Sequence, residues 1–341
     1  MTCKRARRTI PFSACDPATL KHRAIRPVIA LLTWVALTAC QGTRPHVDVA
    51  GPHAPLLIAH RGGAADAPEN TLEAIRQSLA HHADALWLTV QLSSDGVPVL
   101  YRPADLNALT NGNGPVANFS ATELADLDAG WQFRDAHGDF PYRQHRIGIP
   151  SLRDALRSIP PTIPVILDMK ALPATPQAEA VARVLTEERA WARVTLYSTD
   201  AAYQAAFARY PLARQFEARD TTRQRLLDVL LAGRCEAAPD PSAPAAFEWR
   251  RDVAVFETFT LGEGRSTVHA AFWTPATTAC FRRQPAQRLL AIGVNDESDY
   301  RAAACLGLDA VLVDSPATLA PVRDALVRDG LRCGMATSST R

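Results

Sequence analysis

The chain has 341 residues, 47% of them hydrophobic, with 37 basic against 35 acidic side chains. That length and apolar content suit one large core, and a single barrel domain of about 250 residues or more fits. Seven basic residues (Lys4, Arg5, Arg7, Arg8, Lys21, Arg23, Arg26) and one acid, Asp16, fall in residues 1–39, so the remainder carries net −4; a mildly acidic body is a poor match to nucleic acid, which selects a basic face.

The basic residues precede an apolar run over 28–36, the length expected of a signal peptide and too short to cross a bilayer as a helix. It ends in Leu37-Thr38-Ala39-Cys40, which resembles the bacterial lipobox, whose Cys is acylated and becomes the new N-terminus. The alternative is an ordinary buried Cys after an apolar helix. The long basic region leaves room for a start downstream of Met1. The expected organisation is a lipoprotein-type signal peptide over 1–39, a lipid-anchored tether over 40–55 with Gly, Pro and His, a barrel over 56–333 and a flexible tail over 334–341. The mature protein is then expected in the bacterial cell envelope, anchored to the membrane through Cys40 and facing the periplasm.

From residue 56 onward, short apolar runs alternate with stretches of helical spacing, the pattern of a parallel sheet. The strand candidates are 56–59, 85–92, 164–168, 194–198, 212–217, 253–258, 289–294 and 310–314, the eight that a closed βα-barrel needs. Helices are expected from 72 onward, with Asn70 or Thr71 as N-cap, and over 177–188, 201–210, 221–231, 298–306 and 316–327. The stretch 103–150 is too long for a simple βα connection. The segment 232–247, rich in Ala and Pro, reads as a second surface excursion. The fold class is α/β, a single TIM (β/α)8 barrel with an insertion after the second strand.

Beyond Cys40, the thiols are Cys235, Cys280, Cys305 and Cys333, which allow three pairings. Cys305 lies in a helical stretch before the last strand and Cys333 follows the last helix, elements that should be neighbours. The expected bonds are Cys305–Cys333 and, by elimination, Cys235–Cys280. The alternative, four reduced core cysteines, suits the cytoplasm better than the envelope.

The chemistry gathers at the end of the first strand, where Ala59-His60-Arg61-Gly62-Gly63 is followed by Pro68-Glu69-Asn70-Thr71. In a βα-barrel that end of the strands carries the site. Ser94-Asp95-Gly96-Val97-Pro98-Val99-Leu100, Leu127-Asp128-Ala129-Gly130, Ile149-Pro150-Ser151-Leu152, Asp168-Met169-Lys170, Val294-Asn295-Asp296 and Asp314-Ser315-Pro316 follow in order. Together these motifs resemble the glycerophosphodiester phosphodiesterase family from about residue 56 to about 325, including its insertion after the second strand.

That resemblance implies phosphoric diester hydrolysis with a Ca²⁺ or Mg²⁺ ion held by three carboxylates, and two histidines as acid and base. His60 and Arg61 match the opening motif, Asp168 stands at the third carboxylate and Lys170 matches two residues on. The Glu-x-Asp of the second strand, however, falls on Trp87 and Thr89, and the second histidine on Arg102. Trp87 cannot ligate a metal, and Thr89 offers only a neutral hydroxyl. No cofactor is therefore expected.

Arg102 stays charged at any relevant pH, which unfits it for proton transfer but suits it to phosphate. The expected site has His60 as general acid and base, and Arg61, Arg102 and Lys170 as phosphate ligands. Glu69, Asn70 and Asp168 support them. Glu69 has a blander alternative as a first-turn acid at a helix N-terminus, and Arg102 as an ion-pair partner of Asp105 or Asp168. Two function classes follow. One is a phosphodiesterase of lipid-derived glycerophosphodiesters with weakened or lost metal-dependent activity. The other is an inactive envelope pseudoenzyme that binds a small phosphate-bearing ligand or a protein partner.

Overall fold

The computed structural model describes residues 52–236 and 240–333. The expected signal peptide, Cys40, nearly all of the tether and the tail lie outside the described residues. In chain order the elements are β1 (Leu56–His60), α1 (Leu72–Ala80), β2 (Ala85–Leu92), β3 (Pro98–Leu100), α2 (Ala121–Asp126), α3 (Leu152–Ser158), β4 (Val165–Met169), α4 (Ala174–Glu187) and β5 (Val194–Tyr197). They continue with α5 (Ala202–Ala208), α6 (Arg219–Ala232), β6 (Ala245–Glu248), β7 (Arg250–Phe259), β8 (Gly262–Ala271), α7 (Pro275–Phe281), β9 (Leu289–Ile292), α8 (Glu297–Cys305), β10 (Ala310–Val313) and α9 (Pro316–Asp329).

The parallel sheet runs β5-β4-β2-β1-β10-β9-β6. The short segment 214–217 closes it into a TIM barrel. Leu196 N–H donates to Arg214 O (2.8 Å), Phe216 N–H donates to Leu196 O (2.9 Å), and Glu217 N–H donates to Pro244 O (2.9 Å). Strand alternation sorts the side chains. Leu86, Leu88 and Val90, Val165 and Leu167, and Val194 and Leu196 pack outward under the helices, as do Ala245, Phe247, Leu289, Ala291, Val311 and Val313 on the other half. Ile58, Ala85, Trp87, Ile166, Tyr197, Phe216, Ala246, Leu290, Ala310 and Leu312 fill the interior.

One strand assignment is corrected. The sixth barrel strand is β6, inside the stretch expected to be an excursion, and the candidate at 253–258 belongs to the β7–β8 hairpin. Its Val, Phe and Thr content does make a strand, but both its partners and its faces lie outside the barrel. β7 and β8 pair only with each other, and Phe256, Phe259 and Leu261 are exposed toward the tip.

The insertion is as expected. β3 folds back antiparallel on β2, and the following residues build a small core of their own from Val99, Tyr101, Leu106, Val116, Leu124 and Ile149. Ser120 and Glu123 close a reciprocal cap at the start of α2. Cys235 is bonded to Cys280 and Cys305 to Cys333, with Cα separations of 5.7 and 5.5 Å. Among the described residues no helix is long and apolar enough to cross a membrane.

Candidate active site

The turn after β1 is what aims His60 and Arg61. Arg61 adopts φ 53°, Gly62 φ 78° and Gly63 φ 96°, three successive left-handed residues. A Cβ on Gly63 would sit 2.4 Å from Ser78 Oγ, so α1 can approach only because this position is glycine. Asn70, also left-handed at φ 59°, donates its N–H to Arg61 O (2.7 Å). Its side-chain oxygen accepts from Thr89 N–H at 2.8 Å, which ties the turn to β2. The N-cap of α1 is Thr71, whose hydroxyl accepts from Ala74 N–H; Asn70 is thereby released to hold the turn.

Glu69 does not serve only the helix. Its carboxylate takes Arg61 Nη1 at 2.5 Å, which leaves Arg61 Nε buried without a hydrogen-bond partner. His60 Nδ1 lies 2.6 Å from Asp314 Oδ1. Asn295 holds the same carboxylate, donating to Oδ2 at 2.6 Å while accepting Asp314 N–H at 2.8 Å. Burial raises the Asp314 carboxyl, but the hydrogen bonds and charge of His60 and the hydrogen bond of Asn295 outweigh it, and the group lies below its usual range. A carboxylate on one ring nitrogen orients the imidazole and leaves its other nitrogen to exchange a proton.

Asp168 is 7% exposed at the inner end of β4, with Lys170 Nζ 2.9 Å from its Oδ1. Burial pushes this carboxyl up, against the opposing pull of Lys170, Trp87 and His60. Trp87 lies level with His60 in the β1–β2 register. It is 2% exposed and packs on Tyr197 (ring centres 4.7 Å apart) and Phe216 (5.9 Å). Thr89 is fully buried, its hydroxyl unpartnered.

The expected residues are therefore distributed as follows. His60, Arg61, Glu69, Asn70, Asp168 and Lys170 converge on the mouth. Arg102, just past β3, is exposed and forms no ion pair among the described residues. Neither acid weighed as its partner serves it. Asp168 faces Lys170, and Asp105 caps a 3₁₀ turn through Asn107 N–H and Gly114 N–H. Outside the expected set, Glu217 is held by Arg225 and Thr222, and Glu257 sits on the exposed hairpin.

Residues 60–318 match the model of the glycerophosphoryl diester phosphodiesterase family. The chain belongs to this family. It is 45% identical over 283 residues to an uncharacterized protein of Mycobacterium tuberculosis, Rv2277c, covering 83% of this chain and 94% of that one. The crystal structure of the glycerophosphoryl diester phosphodiesterase domain of Rv2277c superposes with a TM-score of 0.74 at 46% identity, covering 79% of this chain and 99% of that one. The Oleispira antarctica phosphodiesterase OLEI02445, solved in complex with the product sn-glycerol-3-phosphate, gives a TM-score of 0.59 at 22% identity, over 80% of this chain and 97% of that one. At that identity the likeness concerns the fold.

The family's divalent ion does not fit the residues present. A hard dication needs several charged oxygens. Here one of the expected carboxylate positions holds a buried indole, the next a neutral hydroxyl, and the third a carboxylate already facing an ammonium group. Among the described residues no three His, Cys, Asp or Glu side chains are grouped to hold a metal.

Reading the sequence assigned no role to Asp314, Asn295, Tyr197, Arg219 or Glu248. Asp314 and Asn295 lie within the recognised motifs, and Asp314 falls two positions after inward-facing Leu312, which is the signal that would have placed it at the mouth. Glu248 follows inward-facing Ala246 in the same way, but on a strand whose location the sequence did not reveal.

Proposed function

We propose that the protein is a glycerophosphodiester phosphodiesterase-like barrel that binds the phosphate of a phosphodiester at its mouth without a divalent ion, and whose metal-dependent turnover is lost or much weakened. One observation carries this reading: Trp87 is packed, buried, level with His60, where the family's resemblance places a metal carboxylate. Around it the cationic groups of Arg61 and Lys170 remain, with Arg102 at the rim, and phosphate is recognised by such donors. Losing one acid–base partner costs about 10²–10⁴ in rate, and losing metal charge stabilisation costs several kcal/mol more.

Calorimetry with glycerophosphocholine, and a turnover assay with Ca²⁺, with Mg²⁺ and with EDTA, test this. Binding that EDTA leaves unchanged is expected. Metal-dependent turnover abolished by His60→Ala overturns it.

A second reading, hydrolysis without a metal, is favoured by the His60–Asp314 pair, the arrangement of an oriented general base. Turnover insensitive to EDTA but removed by both His60→Ala and Asp314→Ala selects it over simple binding.

The proposed location is the bacterial envelope, lipid-anchored through Cys40 and facing the periplasm. The leader composition and the two disulfides support it. Incorporation of labelled fatty acid that is lost in Cys40→Ser is the expected result; equal labelling of that variant overturns it.

A further inference from the structure

Five buried side-chain polar atoms have neither a hydrogen-bond nor an ion-pair partner among the described residues, and three belong to the barrel mouth: Arg61 Nε, Thr89 Oγ1 and Glu248 Oε2. Asp168 Oδ1 is met by Lys170 Nζ at 2.9 Å. Unmet polar atoms are few in folded proteins, and a cluster of them calls for a missing partner. Arg61 Nε is an unmet donor. Glu248 Oε2 is an unmet acceptor.

Glu248 ends β6 and continues the inward face of Ala246. Its Oε1 takes Arg219 Nη2 at 2.6 Å. Arg219 Nη1 reaches the Tyr197 hydroxyl at 3.4 Å, and the guanidinium lies 4.4 Å from the centre of the Phe247 ring. Arg219 is 10% exposed and Glu248 26%, so the pair is fixed on one side and open on the other. The last carboxyl torsion of Glu is soft, which lets Oε2 adjust to a donor entering beside it. Burial pushes Tyr197 up to about 12, so its hydroxyl keeps its proton. Tyr197 is the register partner of Asp168 across β4 and β5 and its hydroxyl faces Arg219, so it links the Asp168 side of the mouth to the Glu248 pair.

We propose that Glu248, Arg219 and Tyr197 form a head-group subsite for a neutral polyol, the hydroxyl-bearing alcohol of a diester whose phosphate is held on the His60 side. This rests on the phosphate-binding reading. Arg219 neutralises Glu248, so a cationic head group finds no net charge there. A trimethylammonium group also has no hydrogen to give Oε2. A hydroxyl donates to Glu248 and can accept from Arg219 or Tyr197, and adjacent hydroxyls satisfy more than one of them at once.

The test is isothermal titration of the full-length protein with glycerophosphoinositol, glycerophosphoglycerol, glycerophosphocholine and glycerophosphoethanolamine. The glycerol and phosphate are common to all four, so differences isolate the head group. The two polyol diesters are expected to bind about 10-fold tighter than the choline diester, the effect of one hydrogen bond to a charged group. Glu248→Gln is expected to remove that difference. Tyr197→Phe, which keeps the aromatic packing, is expected to reduce it and provides a second measurement should Glu248→Gln fold poorly. Equal binding of all four, an ethanolamine diester bound as tightly as the polyols, or a polyol preference that survives both substitutions overturns the subsite alone. No binding of any diester overturns the phosphate reading with it.

Discussion

His60 on the first barrel strand and Asp314 just beyond the last meet at 2.6 Å across 254 positions of sequence. The contact exists because β1 and β10 are parallel neighbours, with Ala59 beside Val313, so the next residue on each, His60 and Asp314, enters the same mouth. Asn295 from the loop after β9 holds the far carboxylate oxygen. The imidazole is thus oriented by two adjacent loops rather than by its own.

Asp314→Asn tests that orientation. The folded carboxyl lies below its usual value, so its contribution is present above the unfolded carboxylate pKa of about 3.9 and is lost as pH falls through the depressed folded value. The side chain is 35% exposed, which holds the contribution to about 1 kcal/mol. Urea unfolding at pH 7 should show that deficit, and the difference between the two proteins should shrink as pH falls below the unfolded carboxylate value of about 3.9.

Asp168 has the opposite sign. Its folded carboxyl is raised, mainly by burial, so the ionised form costs stability at pH above the folded value, and the cost is relieved as pH falls toward the unfolded value of about 3.9. Asp168→Asn is expected to raise the melting temperature at pH 7, with the gain shrinking on acidification. Lys170, at 21% exposure, can turn its ammonium group to water. A lower melting temperature at pH 7 would show that the ion pair outweighs the burial.

Trp87→Glu, Thr89→Asp and Arg102→His together restore the family pattern. Removing a packed indole from Tyr197 and Phe216 costs about 3–5 kcal/mol, and two new carboxylates beside Asp168 repel one another until a cation enters. The triple variant should be less stable than the parent in EDTA. It should regain stability in millimolar Ca²⁺ and show Ca²⁺-dependent turnover of glycerophosphocholine. The parent's melting temperature should not respond to Ca²⁺.

The disulfides close loops of 45 and 28 residues, and on chain-entropy grounds each contributes about 3–4 kcal/mol. Cys305→Ser with Cys333→Ser should lower stability by about that amount without changing ligand affinity, since neither residue lies at the mouth. Thermal unfolding with and without reductant measures the effect.

How much was legible in the sequence differs from element to element. Short apolar runs between stretches of helical spacing located seven of the eight barrel strands, the one expected over 212–217 being the short pairing segment 214–217. The eighth, β6, reads Ala-Ala-Phe-Glu, four residues with too little pattern to outrank the Val- and Phe-rich run at 253–258. Alternation reports that a segment is extended; it does not say which sheet accepts it.

The sequence by itself determined the barrel, the family and the substitutions at positions 87, 89 and 102, because these depend on residue type and order along one chain. Only the tertiary structure decided what those substitutions do. It packed Trp87 against Tyr197 and Phe216, paired His60 with Asp314 and Arg61 with Glu69, left Arg102 free of ion pairs among the described residues, and brought Glu248 to Arg219. Those outcomes depend on which strand ends share a mouth, and closure of the sheet sets that through backbone pairings among strands far apart in sequence.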